Sequence, residues 1–428
     1  MKKERGAWSQ IQYEQILQRD ESQGYSFAGY QKIMSLLYDV VQRQRARKVL
    51  CIGAEHCAWI PDMVNAGIEV TGVDASAQVL ADMQKHIPAA EFIVQQRKEK
   101  LPDALKTRVF DSVLCTYALH GMEDAEKITL IRDAFARVSP GGILAIGDIA
   151  FATRADEQTY EKQGEAEENC AFVYEEIETK LGLPSSYIQV TPCAGGLLLQ
   201  KPRMVLFDYG DTLVKEAPFN GERGAKALLT HVKSNPRFVT AAEMNAFAQE
   251  TFKKLEYVRE ERHIEINQRI YDQFLYEYLG VTFSLTPLEV ECTFFENAAP
   301  GNAVAGVAVL LDKLSAQGIR TGVISNISFS AQALSLRLRT LFPNHSFEFI
   351  MTSSEYIFRK PEKEIFELAL RKARLPAEEV WFCGDSYEAD IKGAAAAGIC
   401  PVWYTEKERA FPAQLCVAHW EALHDCFT

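Results

Sequence analysis

A chain of 428 residues is longer than one typical hydrophobic core supports, so two or three domains are expected. Its 46 basic and 58 acidic residues give a formal charge of −12, which argues against a general affinity for nucleic acid or anionic membrane. The 47% hydrophobic content is ordinary for a globular protein, and no stretch approaches the roughly 18 apolar residues of a membrane span. The basic start MKKERGAWSQ has no apolar segment behind it, so a secretory signal is not expected. Ten cysteines are scattered without a paired CxxC, and Cys51, Cys115 and Cys383 lie in apolar runs. Reduced, packed thiols in a cytoplasmic protein are expected rather than a disulfide or zinc framework.

Residues 26–44 carry a helical pattern, with Ile33, Leu36, Leu37 and Val40 on one face. A strand over 48–52 leads to Gly53, a helix covers about 58–66, and a strand over 69–73 ends at Asp74. Such a strand–loop–helix–strand–acid unit can bring a loop close to a cofactor and use the acid on ribose hydroxyls. Strands at 91–94 and 111–115, a helix at 125–138, a Ser139-Pro140-Gly141-Gly142 turn and a strand at 143–149 continue the rhythm. Segments 187–190 and 196–200 flank Pro192-Cys193-Ala194-Gly195 as an antiparallel hairpin.

Over about residues 26–201 the sequence resembles a class I S-adenosylmethionine-dependent methyltransferase domain, through VLCIGAEHC, VTGVDAS, FDSVLCTYALHGM and RVSPGGILAIGDI in that order. The resemblance implies a loop at Gly53 under the methionine end of the cofactor and Asp74 on its ribose. It also implies Gln96 near the adenine, and Cys115 and Thr116 along the methyl-transfer cleft. The chain departs from the family pattern at Cys51, which stands where the pattern has an acid, and at Glu55 and Cys57, which replace two glycines. Side chains there crowd a backbone that must approach the cofactor, and Glu55 brings a negative charge toward the cofactor's carboxylate. Methyl transfer and a cofactor-free binding or structural role are both open.

The second half follows a short join, Gln200-Lys201-Pro202-Arg203, with no Gly/Ser or charged linker, so limited relative freedom is expected. Val205, Leu206 and Phe207 read as a buried strand, ended by Asp208 and then by Gly210 in a turn. Segments 223–233, 241–258, 263–278 and 287–296 have helical spacing. A strand at 320–324 then ends in Ser325-Asn326, and one at 349–351 is followed by Arg359-Lys360-Pro361. The next, at 380–383, runs into Gly384-Asp385-Ser386, with Asp390 beyond. These strand ends offer complementary chemistry. Asp208 can attack phosphorus. Ser325 and Asn326 can donate to phosphoryl oxygens, Lys360 supplies a fixed positive charge, and Asp385 with Asp390 suits Mg²⁺.

Residues 204–425 resemble the haloacid-dehalogenase-like hydrolase superfamily, through FDYGDTL, GVISN, the RKP lysine and GDSYEAD in order. The resemblance implies a Rossmann-like parallel sheet with a mobile helical cap, about 214–299, inserted after the first strand. It further implies Asp208 as the phosphorylated nucleophile, and Mg²⁺ held by Asp208, the Gly210 main-chain oxygen and Asp385 with support from Asp390. The acidic GDSxxxD segment favours the phosphatase branch over the metal-free dehalogenase branch. Phosphatases of this family place a second aspartate two residues after the nucleophile, where it protonates the leaving oxygen. Here that place is Gly210, with Asp211 one residue later. Loss of a general acid costs about 10²–10⁴-fold, so a slow enzyme, or one limited to good leaving groups such as aryl or acyl phosphates, is expected. In the insert, Arg259, Arg262 and His263 fall on neighbouring helical positions; a solvated face paired with Glu260, Glu261 and Glu265 is the simpler expectation.

The sequence therefore predicts an α/β protein of two Rossmann-like domains. Residues 1–201 form a methyltransferase-type mixed sheet ending in a hairpin, and 202–428 a parallel-sheet hydrolase with a helical cap. The leading expectation is Mg²⁺-dependent hydrolysis of a small phosphorylated metabolite, with no nucleic-acid or membrane partner. The alternatives are a methyltransferase with a vestigial hydrolase half and a noncatalytic ligand-binding or scaffolding protein.

Overall fold

The computed structural model describes residues 29–96, 100–161, 171–405 and 415–427. It divides into two units, Met1–Lys201 with Asp425–Thr428, and Pro202–His424. The sequence expectation left the last residues with the second domain. They belong to the first because Cys426 and Phe427 are buried and their short turn packs on the helix Asp124–Ala136. Among the described residues no helix is long and apolar enough to cross a membrane.

In the first unit the helix Tyr30–Gln44 buries Ile33, Met34, Leu37, Val40 and Val41 at three- and four-residue spacing. It stops at Arg45, which turns left-handed at φ 50°. Residues 26–28, expected to begin this helix, lie outside the described residues. The strands are β1 (Lys48–Ile52), β2 (Glu69–Asp74), β3 (Glu91–Val94), β4 (Phe110–Thr116), β5 (Val138–Phe151), β6 (Phe172–Val173), β7 (Ser186–Thr191) and β8 (Ala194–Gln200). The sheet order is β3-β2-β1-β4-β5-β8-β7, parallel as far as β5 and antiparallel in the closing β8–β7 hairpin, with β6 beside β5. The Ser139–Gly142 segment is not a separate turn. It forms the irregular start of β5, where the pairing with β4 shifts register. The chain reverses its winding between β1 and β4, so their carboxyl ends open a crevice.

The second unit adds β9 (Met204–Phe207), β10 (Val214–Glu216), β11 (Val232–Ser234), β12 (Thr282–Phe283), β13 (Gly301–Ala303), β14 (Arg320–Ser325), β15 (Phe349–Thr352), β16 (Val380–Gly384), β17 (Cys400–Tyr404) and β18 (Leu415–Val417). A parallel sheet runs β15-β14-β9-β16-β17-β18. Strand β9 is apolar throughout because neighbours and covering helices enclose it on every side. Its carboxyl end lies between those of β14 and β16, again at the reversal of winding.

A helix-rich insert lies between β10 and β13, which pair with each other at its base. Its helices are Gly221–Leu229, Ala241–Lys253, Glu256–Glu260, Gln268–Leu279 and Pro287–Ala298. The single helix expected over 241–258 is two, broken at Lys254–Leu255. Thr240 with Glu243, and Thr286 with Glu289, form capping boxes that fix two of the helix starts. The insert has its own core around Ala225, Leu228, Met244, Leu275 and Val290.

Asp272 is buried in this insert, with Gln268 Nε2 donating to its Oδ1 at 2.8 Å. Burial pushes its carboxyl up to about 7, opposed by the Gln268 and Tyr276 hydrogen bonds and reinforced by the nearby Glu291. The folded chain thus holds a proton that the unfolded chain releases near pH about 4. The associated stability is full below that pH and is lost as pH rises through about 7. Chemical unfolding at pH 5 and pH 8 will show a larger loss of stability for the native chain than for Asp272→Asn.

Candidate active site

Asp208 follows the last residue of β9, and its N–H donates to the Cys383 carbonyl of β16 at 2.8 Å. This bond fixes the backbone while the carboxylate projects from the sheet edge into a site where it is only 8% exposed. Lys360 Nζ lies 2.5 Å from Asp208 Oδ1 and 2.6 Å from Asp390 Oδ1, with its side chain almost wholly buried. Asn326 clasps the lysine: its Nδ2 donates to the Lys360 carbonyl at 2.8 Å, and the Lys360 N–H donates to its Oδ1 at 2.7 Å. Both ends of the Asn326 side-chain amide hold Lys360, which leaves the second Nδ2 hydrogen for another acceptor. Ser325 is buried at the end of β14 beside them.

Asp390 arrives by a π-type turn, Tyr387–Lys392, whose extra residue swings the carboxylate back over the end of β16. The Ser386 N–H donates to Asp390 Oδ2 at 3.0 Å. Gly384 has to be glycine, since a Cβ there would lie 2.4 Å from the Asp390 carboxyl carbon. Asp208, Asp385 and Asp390 each offer an oxygen within 4.8 Å of the others. Three such oxygens beside one ammonium suit a hard divalent cation.

The electrostatics match this crowding. Burial pushes the Asp208 carboxyl up to about 7, against the pull of Lys360 and with the push of Asp390 and Asp385. Burial and the neighbouring Asp390 and Asp211 likewise raise Asp385. For Lys360 burial acts to lower the value, but the two carboxylates outweigh it and hold the ammonium above the ordinary lysine range.

Asp211 is outside the three converging acids, though near enough to raise Asp385. Its backbone is left-handed at φ 53°, and its exposed carboxylate pairs with Lys215 Nζ at 2.6 Å. At Gly210 an added Cβ would meet nothing within 4 Å, so the place of a second aspartate is open. The Arg259, Arg262 and His263 set does not converge on one point. Arg259 pairs with Glu265 at 2.8 Å, Arg262 lies over Tyr257, and His263 Nδ1 is 2.7 Å from Glu362 Oε1.

Two polar hubs go beyond the sequence reading, which expected Glu265 only as a partner on a solvated face. Buried Glu265 receives Arg259, Arg359, Ser328 and Ser353. Buried Arg337 donates to the Tyr209 hydroxyl at 2.9 Å and to Glu216 at 2.7 Å, and stacks on Phe295. The Arg259–Glu265 pair had a local signal in its spacing, but the burial of Glu265 and its distant partners, like those of Arg337, had none. A cavity of about 710 Å³ lies between the insert and the residues that follow β14, reaching Asn326 and Glu216.

In the first unit, Gly53 turns left-handed at φ 74°, and a Cβ there would lie 2.3 Å from the Thr116 carbonyl oxygen. Asp74 ends β2, but its Oδ2 accepts from the Glu55 N–H and its Oδ1 from the Ser76 N–H, both at 3.1 Å. The cavity beside them is about 190 Å³ and is lined by Gly53, Glu55, Asp74 and Tyr117 among others. Three expected residues are placed elsewhere. Gln96 is exposed outside it and Gln95 lines it instead; Cys115 and Thr116 are buried behind it, where Thr116 Oγ1 donates to the Gly53 carbonyl at 2.8 Å. The Cys57 and Cys51 sulfurs touch at 3.6 Å, so two of the departures from the family pattern pack against each other. His120 Nδ1 lies 2.9 Å from Asp148 Oδ1, on the cavity wall. Asp148 had a visible signal, as a lone acid inside the apolar run of β5.

Residues 202–398 match the haloacid dehalogenase-like hydrolase family and residues 49–142 a methyltransferase domain family. Over 151 residues the chain is 25% identical to an uncharacterized methyltransferase of Oceanobacillus iheyensis, covering 35% of this chain and 68% of that one. Over 107 residues it is 36% identical to a glyceraldehyde 3-phosphate phosphatase of Methanothermobacter thermautotrophicus, covering 24% of this chain and less than half, 46%, of that relative. Among solved structures it resembles a 2-haloacid dehalogenase from Pseudomonas syringae at 21% identity and a TM-score of 0.37, covering 53% of this chain and 97% of that one. The chain thus joins a methyltransferase-like domain to a haloacid dehalogenase-like hydrolase domain.

Removing the Lys360 ammonium leaves two buried carboxylates facing each other. Lys360→Ala is expected to destabilise the second unit by about 3–5 kcal/mol in urea unfolding, and Lys360→Ala with Asp390→Asn to recover part of that loss.

Proposed function

We propose that the second unit is a Mg²⁺-dependent phosphatase acting on a small phosphorylated metabolite through an aspartyl-phosphate at Asp208. The observation that carries this is the buried Asp208 carboxylate held between the Lys360 ammonium and the Asp385–Asp390 pair. Asp208 attacks phosphorus and the ester oxygen leaves; water then attacks the aspartyl-phosphate and frees inorganic phosphate. Lys360 keeps its charge in this environment and offsets the negative charge of nucleophile and phosphoryl group. Ser325 hydroxyl donates to a phosphoryl oxygen, while Asn326 acts one step back by fixing Lys360. Mg²⁺ would be held by Asp208, Asp385 and the Gly210 main-chain oxygen with Asp390 in support, and supplies charge neutralisation to the phosphate oxygens. The helical insert serves as a cap that sorts substrates. The relatives named as phosphatases support hydrolysis of small phosphates by this domain.

No side chain stands at position 210 to protonate the leaving oxygen, and Asp211 is engaged by Lys215. Turnover therefore depends on how readily the alcohol leaves unprotonated.

The first unit is proposed to act without S-adenosylmethionine. Its cavity of about 190 Å³ is smaller than the ~300–1,000 Å³ of typical small-molecule sites. Glu55 adds a negative charge to the wall beside Asp74.

In a phosphatase assay with Mg²⁺, Asp208→Asn abolishes turnover; an unchanged rate refutes the nucleophile. Gly210→Asp raises kcat on alkyl phosphates by about 10²-fold, because the open space accepts the side chain and supplies the missing acid. Calorimetry of the full chain with millimolar S-adenosylmethionine gives no binding heat, and a saturable exotherm would restore the cofactor.

A further inference from the structure

We infer that the ester turned over by the second unit is an aryl phosphate, with its ring system lying among the aromatic side chains of the insert cavity. The inference rests on the phosphatase function proposed above and narrows its substrate class. Two independent observations lead to it.

The first is the cavity. At about 710 Å³ it is the size of a small-molecule site and has room for a fused ring system. Phe252, Tyr271, Phe294, Phe295 and Phe329 form much of its wall, with Ala248 between them. Phe295 and Phe329 stack at 4.0 Å, and Phe252 meets Tyr271 edge-on at 5.3 Å. These rings give the cavity an aromatic, apolar lining. Its edge comes near the lysine–carboxylate cluster, whose own side chains do not line it. Asn326 lines it and clasps Lys360, and Glu216 lines it and accepts from the hydroxyl of Tyr209, the neighbour of Asp208. Gln268 and Asp272 add a buried amide–carboxyl pair to the wall, suited to a polar substituent on the ring.

The second is the open place at Gly210. Without a proton donor there, the alcohol must leave as its anion. A phenolate does this readily because the ring delocalises its charge, whereas an alkoxide does not. Acyl phosphates share that property, but a small carboxylate buries little apolar surface in a cavity walled by aromatic rings. In the step itself Asp208 forms a bond to phosphorus and the bond from phosphorus to the phenolic oxygen breaks. The phenolate departs with the electron pair and takes a proton from solvent. Water attacks phosphorus to regenerate Asp208 and release inorganic phosphate.

The test compares kcat/KM of the full chain, with Mg²⁺, on 1-naphthyl phosphate, acetyl phosphate and glycerol 3-phosphate. The naphthyl ester is expected to exceed both others by about tenfold or more, matching the burial of one ring. Acetate is the better leaving group, so intrinsic reactivity alone predicts the opposite order for the first pair. Ala248→Phe, which fills the cavity, should lower the naphthyl-to-acetyl ratio by about tenfold. Should that variant fail to fold, Phe252→Ala should lower the same ratio. Equal or faster turnover of acetyl phosphate or glycerol 3-phosphate, or a ratio unmoved by these variants, overturns the aryl assignment and leaves the phosphatase function standing. No turnover of any of the three esters overturns the phosphatase function itself.

Discussion

The second unit depends on one buried ammonium. Lys360 stands between Asp208 and Asp390 at hydrogen-bonding distance from each, in a place that water barely reaches. Two carboxylates so close and so buried cannot both stay ionised without a cation between them. Every nearby structural peculiarity serves that arrangement. Asn326 fixes the lysine backbone from both sides, the π-type turn returns Asp390 over β16, and Gly384 leaves it room. The cluster carries three acids and one base, which leaves an excess of negative charge for a divalent ion to balance.

The larger architecture was legible in the sequence because parallel strands at the centre of a covered sheet are continuous apolar runs. The run before Asp208 and the run before Gly384 could be read directly, and each ended at a residue that the structure places in the cluster. Asp74 was legible in the same way at the end of β2. What failed was resolution within one residue of a strand end. Gln95 and Gln96 differ only in which side of the departing chain they take, and β3 ends just before them. Cys115 and Thr116 still belong to β4, so they point into the core; the chain has to leave the sheet at Tyr117, φ 48°, before a side chain meets the crevice.

Long-range polar partners were not legible. Glu265 gathers Arg359, Ser328 and Ser353 from parts of the chain that no periodicity connects to it. Arg337 reaches Tyr209 across more than a hundred residues to brace the turn beside Asp208. Such contacts exist only once the sheet has brought the strand ends together. The same limit explains Asn326, whose residue type suggested a phosphate donor and whose partners made it a support for Lys360.

The two crevices differ in one physical respect that bears on function. Both lie where parallel strands reverse their winding, and both hold an acid at a strand end. In the first unit Asp74 accepts backbone hydrogen bonds from Glu55 and Ser76, and the sulfurs of Cys51 and Cys57 fill the space behind the loop. In the second unit Asp208 and Asp385 are raised by burial and by neighbouring carboxylates, and a single lysine offsets only part of the charge. A divalent cation would relieve that excess of negative charge. The second unit sets an excess of buried negative charge near an aromatic cavity, and among the described residues the first unit's crevice carries no such cluster of acids.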